Sequence, residues 1–106
     1  MRRIARAISK IRRNVAEPLT VDDLALAAGM SVRSFHRAFR AVTALTPLQY
    51  VKVVRLNLAM DLLRDGTRDV GKVAREVGYE SGSQFSREFK RHFSILPADV
   101  RAKRGS

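Results

Sequence analysis

An all-α fold of about seven helices is what these 106 residues predict, and three observations carry it. Apolar residues recur at three- and four-residue spacing along most of the chain, with no strand-like alternation of useful length. One stretch, Pro47–Arg64, reads as a single long helix that is apolar nearly all round. A pattern of alanine, glycine and paired phenylalanines occurs twice, once on each side of that stretch.

The first helix is expected over Arg2–Asn14, where Ile4, Ala7, Ile8 and Ile11 make one apolar face against a strongly basic back. Glu17-Pro18 breaks it. Thr20 and Asp23 have the spacing of a capping box and open a short helix, Val21–Ala28, that Gly29 stops. Ser31 can cap the next helix, Val32–Val42. Its apolar face is Phe35, Ala38, Phe39 and Val42, with Arg33, His36, Arg37 and Arg40 on the other side.

The long helix then starts with Thr46 as N-cap and Pro47 at the first helical position, and Gly66 closes it. Its apolar side chains spread round the helix, which predicts burial on several sides. A short helix follows over Val70–Val77, stopped at Gly78. Glu80, Ser81 or Gly82 opens another that runs to about His92, with Phe85, Phe89 and Phe93 inward. Pro97 starts a last turn or two before the basic tail Arg101–Arg104.

Composition narrows the function. A hydrophobic share of 45% is enough for a real core, so disorder is not expected. Lys and Arg number 21 against 10 Asp and Glu, a net charge of +11 that points to a polyanionic partner. Nucleic acid leads; an anionic membrane surface or an acidic protein comes second. There is no cysteine, which excludes disulfides, thiolate metal sites and thiol nucleophiles. No apolar run approaches the roughly 18 residues of a membrane span, and the basic start lacks the apolar core of a secretory signal. A cytoplasmic protein is the expectation.

The repeat carries more. Val21–Gly29 overlays Val70–Gly78 without a gap, matching Leu24 to Val73, Ala25 to Ala74 and Gly29 to Gly78. Phe35 and Phe39 then match Phe85 and Phe89, with one extra residue in the second turn. Alanine fits a close helix crossing, and glycine fits a left-handed turn. The phenylalanine pair at i and i+4 pins the second helix and leaves its other face free. Each window therefore reads as a helix-turn-helix unit, at about 20–43 and 69–93, with the helix at about 47–64 between them.

At these residues a family resemblance appears. The segment Val73–Pro97, with the sequence VAREVGYESGSQFSREFKRHFSILP, resembles the signature of the AraC/XylS family of bacterial transcription regulators. Thr46-Pro-Leu-Gln-Tyr50 and Arg55-Leu56 resemble it too, so the likeness covers nearly all of residues 1–106. It implies sequence-specific binding to double-stranded DNA, with two recognition helices inserted in successive major grooves. Carried over by the motif, the base-reading positions are Arg33, His36 and Arg37, then Gly82, Ser83, Ser86 and Arg87. Arginine can hold guanine O6 and N7 bidentately, whereas His and Ser make weaker, less selective bonds and Gly82 offers no side chain. Ser31, Arg40, Ser81, Lys90 and Arg91 are better placed for phosphates.

Four positions depart from the family pattern: Ala44 and Ser94 replace glycine, Leu96 replaces Ser or Thr, and Val100 replaces an aromatic. They bear on the turns after the recognition helices and on the last helix cap. The resemblance also implies an effector-binding or dimerisation domain outside this chain, with RNA polymerase as a further candidate partner. The chain reads either as a fragment of a longer regulator or as a stand-alone member, and the start inside a helical pattern favours the fragment.

Two other classes compete. Catalysis has little to work with, since His36 and His92 are the only histidines and no phosphate loop or metal-spaced cluster appears, so no catalytic residue, metal or cofactor is expected. A helical adaptor, or a membrane-surface helix at Arg2–Arg13, would leave the paired helix-turn-helix units unexplained.

Overall fold

The computed structural model describes residues 2–104. They form seven helices and no strand: α1 (Arg2–Arg13), α2 (Val21–Ala28), α3 (Val32–Thr43), α4 (Pro47–Asp65), α5 (Val70–Glu76), α6 (Gly82–Phe93) and α7 (Pro97–Arg104). The chain divides into two compact units, Met1–Val54 and Arg55–Ser106, with the division inside α4.

In the first unit α1, α2 and α3 close on one core. Ile4, Ala7 and Ile11 come from α1, Leu24, Ala25 and Ala28 from α2, Phe35 and Phe39 from α3, and Val51 from α4. The helix boundaries follow from local chemistry. Thr20 Oγ1 accepts from the Asp23 amide, and Asp23 Oδ2 accepts from the Thr20 amide, both at 3.1 Å. The backbone bond from Thr20, then that of its side chain, holds the Asp23 carboxyl below the usual carboxylate range. At the other end of α2, Gly29 takes φ 69°, its amide donates to Leu26 O, and the Met30 amide donates to Ala25 O. This is a Schellman cap, and a β-carbon would disfavour it through φ alone.

The second unit repeats the device. Gly78 takes φ 98°, its amide donates to Arg75 O, and the Tyr79 amide donates to Ala74 O. Val73, Ala74, Val77, Tyr79, Phe85 and Phe89 are buried there, with Val100 from α7. Helix α5 ends at Glu76, one residue before the expected Val77, because Val77 has already turned to φ −93°, ψ 7°. Asp69 caps α5, its carboxylate accepting from the Lys72 amide at 2.7 Å, a cap that sequence reading did not name. Of the three openings considered for α6, Ser81 is the N-cap and Gly82 the first helical residue.

Helix α4 opens on a second capping box, with Thr46 and Gln49 exchanging bonds at 3.2 and 3.0 Å. Gly66 closes it at φ 77°. Burial along α4 is narrower than its apolar content predicts: Val51, Leu56, Ala59 and Leu63 are buried, but Leu48 is 53% exposed and Leu58 36%. Its first half serves the core of the first unit and its second half lies in the other unit, so its apolar residues are shared between two cores. Val42 also corrects the expected inward face of α3, because it is 43% exposed. Phe93 is only half-buried, edge-on to His92 at 4.6 Å.

The basic tail is helical too. Helix α7 continues to Arg104, with Asp99 in its first turn and Arg101 Nε donating to Arg68 O at 2.8 Å. Ala44 and Ser94, which replace the family's glycines, take the conformation glycine would. Their φ values are 64° and 62°, and their amides cap Arg40 O and Lys90 O.

Candidate nucleic-acid interface

Two buried rings orient each candidate helix. Phe35 and Phe39 have no solvent exposure, and their centroids are 5.5 Å apart. With that face of α3 committed to the core, Arg33, Arg37 and Arg40 are exposed and His36 is half-buried. Arginines 33, 37 and 40 are spaced i, i+4, i+7, so they form one outward stripe about 10 Å long. Helix α3 carries no acidic residue. The Ser31 hydroxyl accepts from the Ser34 amide at 3.2 Å, so it works as a cap. The amides of Val32 and Arg33, at the first two helical positions, have no acceptor within the helix.

In the second unit Phe85 and Phe89 are likewise fully buried, with centroids 5.6 Å apart. Ser83, Arg87, Lys90 and Arg91 are exposed and Ser86 is half-buried. Ser86, Arg87, Lys90 and Arg91 line an open depression of about 390 Å³ whose remaining wall is Leu96. Gly82 faces open space, since a β-carbon there would meet nothing within 4 Å. Ser81 caps α6 as Ser31 caps α3, accepting from the Gln84 amide at 3.2 Å. Arg33, His36 and Arg37 thus share one helix face in the first unit, and Ser83, Ser86 and Arg87 share one in the second.

One cluster escaped sequence reading. The Tyr79 hydroxyl donates to Glu88 Oε1 at 2.8 Å, and Gln84 Nε2 donates to Glu88 Oε2 at 3.0 Å. Burial first, then the bond to Glu88, raises the Tyr79 phenol above its ordinary pKa. Tyr79 also packs against the Phe85 ring at 5.3 Å, so the turn and the first half of α6 are clamped together. The legible signal was the tyrosine directly after Gly78 together with Gln84 and Glu88 at i, i+4.

Among the described residues no helix is long and apolar enough to cross a membrane, and no group of three or more His, Asp or Glu side chains is placed to hold a metal ion.

Paired helix-turn-helix units with cationic outward faces define a class of DNA-binding domain. Residues 24–103 match a family described as a helix-turn-helix domain. The chain belongs to the AraC-type family of DNA-binding helix-turn-helix domains. Among its relatives is the regulatory protein SoxS of Salmonella typhimurium, 37% identical over 94 residues, which are 89% of this chain and 88% of that protein. Another is the transcriptional regulator AlkR of Acinetobacter baylyi, 35% identical over 98 residues, 92% of this chain but 32% of that protein. The chain therefore spans about a third of AlkR's length.

Among solved structures, an AraC-type regulator from Chromobacterium violaceum superposes with a TM-score of 0.91 at 32% identity, covering 99% of this chain and 94% of that one. The DNA-binding domain of AdpA, solved in complex with a target DNA, superposes with a TM-score of 0.89 at 32% identity, covering 94% and 90%. AlkR is a helix-turn-helix transcriptional regulator and SoxS a regulatory protein.

Proposed function

We propose that this chain is the DNA-binding part of a bacterial transcription regulator. It binds double-stranded DNA sequence-specifically, with α3 and α6 each laid in a major groove, the two grooves successive on the duplex. The observation that carries this reading is the outward stripe of Arg33, Arg37 and Arg40 on a helix whose opposite face is fixed by two buried phenylalanines. The solved complex of AdpA's domain with DNA supports it.

In this reading Arg33, His36, Arg37, Ser83, Ser86 and Arg87 meet base edges. Arg40, Lys90 and Arg91 meet phosphates, as do the amides behind the Ser31 and Ser81 caps. Gly82 contributes no direct readout. The reading units are residues 20–43 and 69–93, with the segment 47–64 between them. The greater length of AlkR supports an effector-binding or dimerisation domain elsewhere in the regulator. RNA polymerase is the further partner, and the cytoplasm the site of action.

Selection of bound sites from random duplexes, followed by anisotropy titration across a salt series, tests the proposal. A recurring site should emerge, and log affinity should fall linearly with log salt at about −0.9 per phosphate contact. No duplex binding at low salt overturns the reading.

A further inference from the structure

The charge of the first unit does not sit mainly on its recognition helix. Residues 1–54 contain ten Lys and Arg against three Asp and Glu, and six of those ten lie on α1: Arg2, Arg3, Arg6, Lys10, Arg12 and Arg13. Helix α1 has no acidic residue. It lies before residue 24, where the segment matched to the helix-turn-helix family begins.

Packing sorts these cations. Ile4, Ala7 and Ile11 are buried in the core, which turns the opposite face of α1 outward. Arg12 Nη2 donates to the Tyr50 hydroxyl at 3.2 Å, so that arginine leans toward α4. Lys10 lies near Asp23, whose carboxyl it helps keep ionised. Arg2, Arg3, Arg6 and Arg13 are exposed, and none has an ion-pair partner among the described residues. Positions 2, 6 and 13 fall at i, i+4 and i+11, one straight line along the helix, about 16 Å from end to end.

We propose that this outward face of α1 is a phosphate-binding surface for duplex DNA, separate from the recognition helices, which adds affinity without reading sequence. The inference rests on the DNA-binding function proposed above. Three features favour a nucleic-acid backbone as the occupant. Cations with no competing acid suit a polyanion of regular charge spacing. The choice of arginine over lysine suits bidentate phosphate contacts. The apolar face of α1 is consumed by the core, so nothing is left to enter a bilayer, which a membrane-surface helix needs.

The test compares the full chain with the triple variant Arg2→Gln/Arg6→Gln/Arg13→Gln and its charge-keeping counterpart with lysine at the three positions. The Gln triple should weaken binding to the selected site and to random duplex alike, and flatten the salt slope by about 2.7, which is about 0.9 for each arginine removed from a phosphate. Between 50 and 200 mM salt, the unaltered chain should then lose about 40-fold more affinity than the variant. The Lys triple should keep most of the slope. Circular dichroism confirms that each variant folds; should the Gln triple unfold, Arg6→Gln alone should still flatten the slope by about 0.9. Duplex binding by the unaltered chain with an unchanged slope in the Gln variants overturns this surface and leaves the proposed function standing. No duplex binding by the unaltered chain overturns both. Loss of binding to phosphatidylserine vesicles or polyglutamate, with the duplex slope intact, reassigns α1 to a membrane or an acidic protein and likewise overturns it.

Discussion

From Ser31 and Ser81 onward the two helix-turn-helix units run in step, fifty residues apart, with serine cap, buried phenylalanines and left-handed exit at matching positions. What they present differs. The first offers Arg33, His36, Arg37 and Arg40 from a helix whose opening turn has no side-chain clamp: Met30, Ser34 and Ala38 stand where the second has Tyr79, Gln84 and Glu88. The second offers Ser83, Ser86 and Arg87 at the matching positions and gathers Lys90 and Arg91 near its end. It also ties its turn to its helix through Tyr79, Glu88 and Gln84. One scaffold thus supports two emphases, richer hydrogen-bonding chemistry in the first unit and a more tightly held helix in the second.

The largest effects should come from the shared core. Phe35→Ala and Phe85→Ala each remove a fully buried ring, and each should cost about 3–5 kcal/mol. Hydrogen exchange should speed up chiefly in the unit that carries the change. A markedly smaller cost at Phe85 would show that the Tyr79 clamp holds α6 without its ring.

Tyr79→Phe deletes a bond to a carboxylate and should cost about 1.5–3 kcal/mol, felt in the second unit alone. The effect depends on pH in a defined direction. The folded state raises the phenol above its ordinary 10.0, so its contribution is whole below pH 10 and is lost as pH climbs from there toward the folded-state value. Urea melts between pH 8 and 11 should show this alkaline decline in the unaltered chain and not in the variant. An identical decline in both would remove Tyr79 from the account.

On DNA, Arg37→Ala should cost about 1–3 kcal/mol on the selected site and relax preference at one base pair, while Arg91→Ala weakens all sequences alike. Ser83→Ala should cost less than Arg37→Ala, because a hydroxyl makes one unselective bond where a guanidinium makes two. The reverse ranking in competition titrations would invert the contrast between the units.

Smallest are Ala44→Gly and Ser94→Gly. A left-handed non-glycine residue costs about 1–2 kcal/mol, and glycine's extra chain entropy returns about half of it. Each change should therefore raise stability by about 0.5–1 kcal/mol, by similar amounts in the two units.

How far the sequence could be read follows from the range of each interaction. Caps such as Thr20–Asp23 and Thr46–Gln49 close over three residues, so their residue types announce them. The Ala25 and Ala74 crossings and the phenylalanine pairs were legible for the same reason, as helical spacing exposes them. The exposure of Leu48, Leu58 and Val42 was not legible, because periodicity records which residues are apolar and not how many neighbours are available to cover them. For the Tyr79–Glu88 bond the residue types gave a signal, but the bond spans nine residues and a turn, and only the folded path pairs its ends. The outward set Arg33, His36, Arg37, Ser83, Ser86 and Arg87 was legible as a face, because helical spacing alone places those positions together.

The exits at Ala44 and Ser94 have a mechanical corollary. A helix whose closing residue is held in a disfavoured conformation loses its last turn more easily than one closed by glycine. Those last turns carry Arg40, Lys90 and Arg91, while Arg33, Arg37, Ser83 and Arg87 sit nearer the firmly capped starts. Under the proposed function, each helix is thus firmest at the positions assigned to base edges and most yielding at those assigned to phosphates.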